Sequence, residues 1–250
     1  MSSAFQQQRG DGKRRWLVAF IVLPAVVAWA LLWWMGSSPA GRYFRHDDLE
    51  NSQVVLPLVL VGWVVMIAAM MLPTTAPLLA VFRKVVGARP ERNRLVALLI
   101  AGYAAVWTLV GAVAIILDDV LHTLADTPEL GDTSWVMVGV LAMAGVYQFT
   151  PLKKRCLTSC RSPFVFVSQH WHGGNANWEA FRLGAAHGWF CVGCCWTLML
   201  VMFALGMGNL GWMLAIAAVM AIEKNVARAT FLGPLIGVVL LGSAVWLAIR

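Results

Sequence analysis

Seven apolar runs separated by short polar stretches dominate the chain: residues 16–35, 54–72, 95–117, 135–149, 188–205, 212–222 and 231–249. Most are long enough to cross a hydrocarbon layer of ~30 Å, which takes about 20 residues of helix. The run 212–222 is short and could be half of a re-entrant pair, so six or seven spans are expected. In lipid every backbone N–H and C=O must be satisfied within the segment, which excludes an open sheet, and the unbroken runs lack the alternation of a β-barrel strand. The expected fold is therefore all-α, a polytopic transmembrane helix bundle. A tail over 1–15 leads into a single transmembrane helical domain over 16–250, whose one sizeable polar segment is a Cys-containing loop at 152–183.

Composition agrees with this pattern. Of the 250 residues 60% are hydrophobic and 12% charged, far from the balance of a soluble domain. The 13 Trp and 22 Gly fit membrane interfaces and membrane helices. A net charge of +7 raises nucleic acid as a partner, but the basic residues sit in short clusters flanking apolar runs rather than on one basic face. Topology and anionic lipid headgroups account for them, and no nucleic-acid partner is expected.

Lys and Arg mark cytoplasmic loops. They gather at Arg9, Lys13, Arg14 and Arg15; at Arg83, Lys84, Arg89, Arg92 and Arg94; at Lys153, Lys154, Arg155 and Arg161; and at Lys224 and Arg228. The alternate loops are acidic, with Asp47, Asp48 and Glu50, then Asp118, Asp119, Asp126, Glu129 and Asp132. This gives a cytoplasmic N-terminus in a bacterial inner membrane, with Arg42 and Arg45 running against the rule. The first run is longer than the core of a secretory signal, and Ser38-Pro39-Ala40 is a poor cleavage site, so it reads as a retained anchor.

Chemistry concentrates in five cysteines, Cys156-x-x-x-Cys160 and Cys191-x-x-Cys194-Cys195, about 30 residues apart. Two such segments can close a tetrahedral thiolate site. On a helix starting near Gly188, His187, Cys191, Cys194 and Met202 fall within a stripe of ~80°, with Cys195 just beside it and Met199 further round. Thiolate and thioether donors select Cu(I) or Zn, and the methionines lean toward Cu(I). His170, His172 and His187 are candidate completing ligands. Met66 and Met70 share a face of the second run, a spacing suited to passing Cu(I) between thioethers. Glu223, at the end of the sixth run, is a further pathway candidate if its carboxylate faces the bundle. Against all this stands packing: free Cys and Met are ordinary core residues, and small residues such as Gly184-x-x-x-Gly188 let helices approach closely. Pro73 and Pro77 frame Thr74 and Thr75, whose hydroxyls can satisfy backbone groups freed by a kink. Nucleophilic triads, Walker loops and dinucleotide fingerprints are absent from the sequence.

Several stretches together resemble a known family: Met66-Ile-Ala-Ala-Met70-Met71-Leu72-Pro73; Tyr147-Gln148-Phe149-Thr150-Pro151-Leu152-Lys153 leading to Cys156 and Cys160-Arg161-Ser162-Pro163; His187 through Trp196; Met207 through Met213; and Glu223-Lys224. They look like the bacterial domain-of-unknown-function 2182 family of predicted metal-binding integral membrane proteins. The resemblance spans about residues 54–230, and implies membrane residence and a metal site without a reaction. The leading expectation is a soft-metal site for binding, delivery or export, with a membrane or metallochaperone partner. Two alternatives stand beside it: a metal- or dithiol-dependent membrane oxidoreductase whose thiolates sit at a helix N-terminus, and a non-catalytic assembly subunit in which the cysteines only pack.

Overall fold

The computed structural model describes residues 22–34, 36, 52–87, 89–125, 133–204, 210–226 and 229–250. The tail 1–15, the charged residues at 42–50, 126–132 and 228, and Met207 to Asn209 of the family-like motif lie outside these. Every regular element among the described residues is helical. The order is α1 (Val22–Trp34), α2 (Ser52–Met70), a 3-10 turn (Pro73–Thr75), α3 (Ala76–Val86), α4 (Arg92–Ala125), α5 (Thr133–Tyr147), α6 (Pro151–Arg161), α7 (Pro163–His170), α8 (Ala176–Ala204), α9 (Leu210–Asn225), a 3-10 turn (Ala229–Phe231) and α10 (Leu232–Ala248).

Two of these, over Arg92–Ile116 and Ala176–Met202, are long and apolar enough to cross a membrane. Two bent pairs would bring the number to four if each counts as one span: Leu60–Met70 with Pro73–Val86, bent by 44°, and Trp135–Tyr147 with Pro151–Arg161, bent by 64°. Among the described residues two to four spans thus stand against the six or seven expected, because α5, α9 and α10, at 15, 16 and 17 residues, are each shorter than a full span of ~20. At the first break Pro73 has no N–H to continue the ladder, and the hydroxyls of Thr74 and Thr75 donate to the carbonyls of Met71 and Leu72 at 2.8 and 2.7 Å. At the second, Thr150 caps α6 by accepting from the Lys153 N–H at 3.3 Å, with Pro151 in the first turn.

The segment 152–183, expected as a loop, is built of α6, α7 and the first two turns of α8. Its link to α8 is held by Glu179, whose carboxylate accepts three backbone N–H groups, from His172 (2.9 Å), Gly173 (2.7 Å) and Gly174 (3.0 Å). Gly173, at φ +82°, makes that turn in a conformation few other residues adopt.

Helix α8 is the axis of the packing, touching α4, α5, α6, α7 and α9. Glycines set its distance from α4. A side chain at Gly184 would strike the Leu99 carbonyl, and one at Gly102 would strike the Phe181 carbonyl. At Gly188 a Cβ would lie 3.1 Å from Val106 and 3.3 Å from the Tyr103 carbonyl. The Gly184-x-x-x-Gly188 spacing therefore acts as expected, bringing two backbones together. Away from this axis large apolar side chains face outward, among them Leu109, Val113 and Ile116 of α4, Trp189 of α8, and Leu235, Val238 and Val245 of α10.

Candidate metal centre

The close approach of α4 and α8 has a direct chemical result, because it lays Tyr103 over the next turn of α8. There Tyr103 Oη lies 3.1 Å from Cys191 Sγ. His187, Cys191, Cys194, Cys195, Met199 and Met202 are all buried, as the shared helix face predicts. The sulfur atoms of Cys191, Cys194 and Cys195 lie within 4.8 Å of one another. The thiols of Cys194 and Cys195 each donate to the Cys191 carbonyl, at 3.0 and 2.9 Å.

The second cysteine segment divides. Cys160, near the end of α6, packs against the buried cluster that holds Cys191, Cys194 and Cys195 and interacts with the first two, so the two sequence clusters meet. Cys156, one turn earlier, packs instead on Gly193: a Cβ there would come within 2.6 Å of its sulfur. That glycine lets α6 rest on α8, and the Tyr147 hydroxyl donates to the Gly193 carbonyl at the same crossing. Cys156 belongs to the wall of the site rather than to the sulfur group. All five cysteines are free thiols, so no disulfide forms.

From α9 comes a residue that the sequence presents as a cation marking a loop. The Lys224 ammonium, only 7% exposed, lies 3.0 Å from Cys191 Sγ, 3.9 Å from Cys195 Sγ and 3.4 Å from Met71 Sδ. Tyr103 was likewise missed, and Met71 stood out only as part of the Met66-to-Pro73 stretch. A lysine ending an apolar run looks the same in sequence whether it snorkels outward or turns in, and only the packing of α9 tells the two apart.

The thioethers lie close behind. Met66, Met70, Met71, Met199, Met202, Met213 and Met220 share one buried cluster with Cys156 and the three α8 cysteines. Met66, Met70 and Met202, singled out by spacing, therefore belong to the same buried cluster as the thiols. His187 packs edge-on to Phe166, with ring centroids 5.4 Å apart, and against Tyr103 at 5.9 Å. Its Nδ1 is buried with no hydrogen-bond partner, one helical turn from Cys191. An orphaned imidazole nitrogen beside a thiol group is a free donor. The other histidines stay apart: His170 bonds the Phe166 carbonyl through Nδ1 at 2.9 Å, and His172 is exposed.

Glu223 is not in the thiol pocket. Its carboxylate takes the Lys153 ammonium at 2.9 and 3.0 Å, and its carbonyl accepts from Arg161 Nε at 2.6 Å. Lys153 also donates to Gln148 Oε1. This node ties α9 to the α5–α6 joint through a carboxylate that faces the bundle. A further correction concerns the helix start. α8 begins at Ala176, not near Gly188, so Cys191 lies about four turns inside the helix, beyond reach of its N-terminal dipole. The helix-dipole argument for reactive thiolates at Cys191 and Cys194 is thereby removed.

Taken together, these features define an all-helical protein with a buried soft-donor site. The chain belongs to the PpoB2 copper chaperone family, whose model matches residues 60–247. That match corrects the resemblance to the domain-of-unknown-function 2182 family, whose motif pieces carried the metal character of the site without its family. No curated protein and no solved structure matches the chain significantly. The donor chemistry fits the family: clustered thiols flanked by thioethers are what Cu(I) prefers, and copper as Cu(I) is the ion this site binds.

Proposed function

We propose that this protein is a multi-pass bacterial inner-membrane copper chaperone that holds Cu(I) on thiolates within the helix bundle and delivers it to an acceptor protein. The observation that carries this is the buried trio Cys191, Cys194 and Cys195, with sulfurs within 4.8 Å of one another in a chain of this family. Cys160 is the next donor, reaching two of the three, and His187 Nδ1 and Met202 are reserves on the same helix face. Met66 and Met70 would line the approach. Cu(I) exchanges between soft donors without a redox step, so a row of thioethers beside thiolates suits capture and transfer.

Membrane residence is supported by the two long apolar helices, the two bent pairs and the outward-facing Leu, Val, Ile and Trp side chains. Sustained apolar exposure of this kind is costly in water and suits a lipid surface. The basic clusters at 83–94 and 153–161 would face the cytoplasm. Two measurements test the proposal. The chain should stay in the membrane fraction through alkaline carbonate washing. Elemental analysis of purified protein should find copper in the wild type and almost none in Cys191→Ser/Cys194→Ser; equal copper in both would defeat the assignment.

A further inference from the structure

Lys224 is a buried cation whose partners are all sulfur. Its hydrogen bonds go to Cys191, Cys195 and Met71, and among the described residues no carboxylate pairs with it. The adjacent carboxylate, Glu223, points to a different neighbour and is satisfied by Lys153. Thiol and thioether sulfurs are weak acceptors, and an ammonium in an apolar interior is costly unless a negative charge answers it.

We infer that Lys224 is the specificity-determining residue of the pocket: a fixed positive charge beside the thiols that repels a divalent ion more strongly than a monovalent one. The inference rests on the copper reading above and concerns which ion the pocket prefers. Each ligating thiol gives up its proton to the surroundings. For any given number of thiolates the pocket carries one more positive charge with Zn(II) than with Cu(I). In a medium of low dielectric that difference counts heavily, because Coulomb repulsion from the ammonium acts twice as strongly on a divalent ion as on a monovalent one. Soft donors alone do not reject Zn(II), which thiolates also bind well, so charge supplies the discrimination that donor type leaves open.

The test is a competition on full-length protein in detergent. Cu(I)-loaded protein is titrated with Zn(II), and the ratio of the two affinities is read by elemental analysis after desalting. In Lys224→Met, which keeps length and removes charge, the ratio should move toward Zn(II) by tenfold or more. In Lys224→Arg, which keeps the charge, it should stay within about threefold of the wild type. A variant that merely loosens the fold weakens both ions together and leaves the ratio in place. An unchanged ratio in Lys224→Met, or a move further toward Cu(I), overturns the inference. So does loss of both ions from both Lys224→Met and Lys224→Gln, which would make the side chain a scaffold of the pocket rather than its selector. Failure of the wild type to bind Cu(I) at all would instead overturn the copper reading.

Discussion

Glu223 and Lys224 are neighbours on one helix, both buried, yet they sit in opposite kinds of surroundings. Glu223 enters a node of ordinary polar chemistry, with an ammonium at 2.9 Å and a guanidinium on its own carbonyl. Lys224 enters a pocket of sulfur, which an aromatic hydroxyl, that of Tyr103, also reaches. The first charge is answered within the fold, whereas the second is answered only when something anionic forms among the thiols. The contrast separates what holds the helices in place from what is poised to bind. It also explains how one short stretch of α9 serves both, since successive residues of a helix point about 100° apart.

The largest effect that can break this contrast is on the sulfur side. Cys191→Ser/Cys194→Ser should abolish copper binding while leaving Lys153 and Glu223 paired, so the unfolding midpoint of the metal-free protein should barely change. A collapse of the metal-free fold would mean the thiols are structural after all. On the other side, Lys153→Met strands a buried carboxylate and should destabilise the protein by about 3–5 kcal/mol, read by chemical unfolding in detergent. Adding Glu223→Leu should recover much of that loss, because an apolar pair of similar volume needs no charge match. Copper stoichiometry in the double variant should match the wild type.

A smaller effect separates tight from loose glycines. Gly184→Ala would press a methyl onto the Leu99 carbonyl and force α4 from α8, at about 1–3 kcal/mol. Gly139→Ala, in α5, meets nothing within 4 Å and should be neutral or stabilising by up to about 1 kcal/mol through helix propensity. Thermal unfolding of the pair distinguishes them. The Gly184-x-x-x-Gly188 spacing was legible in the sequence because small residues four apart have one common use between membrane helices. So was the α8 donor face, because helical periodicity alone brings Cys191, Cys194, Cys195 and Met202 together. The helices α3, α6 and α7 were not legible from hydropathy: they follow proline breaks, and 152–183 carries too many polar residues to register as an apolar run. Long-range encounters were hidden as well. Nothing local shows that Lys224 turns inward while Glu223 meets Lys153, 70 positions away. Nor could the spacing of Cys156 and Cys160 say which reaches the thiols, since that depends on how α6 lies across Gly193.

The smallest effect examines Tyr103, whose hydroxyl reaches into the sulfur pocket. Its hydroxyl lies 3.1 Å from Cys191 Sγ, and its ring also lies against His187. Tyr103→Phe removes a single hydrogen bond and leaves the ring in place, so a cost of about 0.5–1.5 kcal/mol is expected. Where that cost appears is informative. A hydroxyl that donates to the Cys191 thiolate in the loaded protein supports the copper complex, as Lys224 is inferred to do with its charge. Cu(I) affinity should then fall about three- to tenfold, measured against a competing chelator, with the metal-free midpoint almost unmoved. A lowered midpoint with unchanged copper affinity would instead place Tyr103 with Glu223, among the residues that hold the helices.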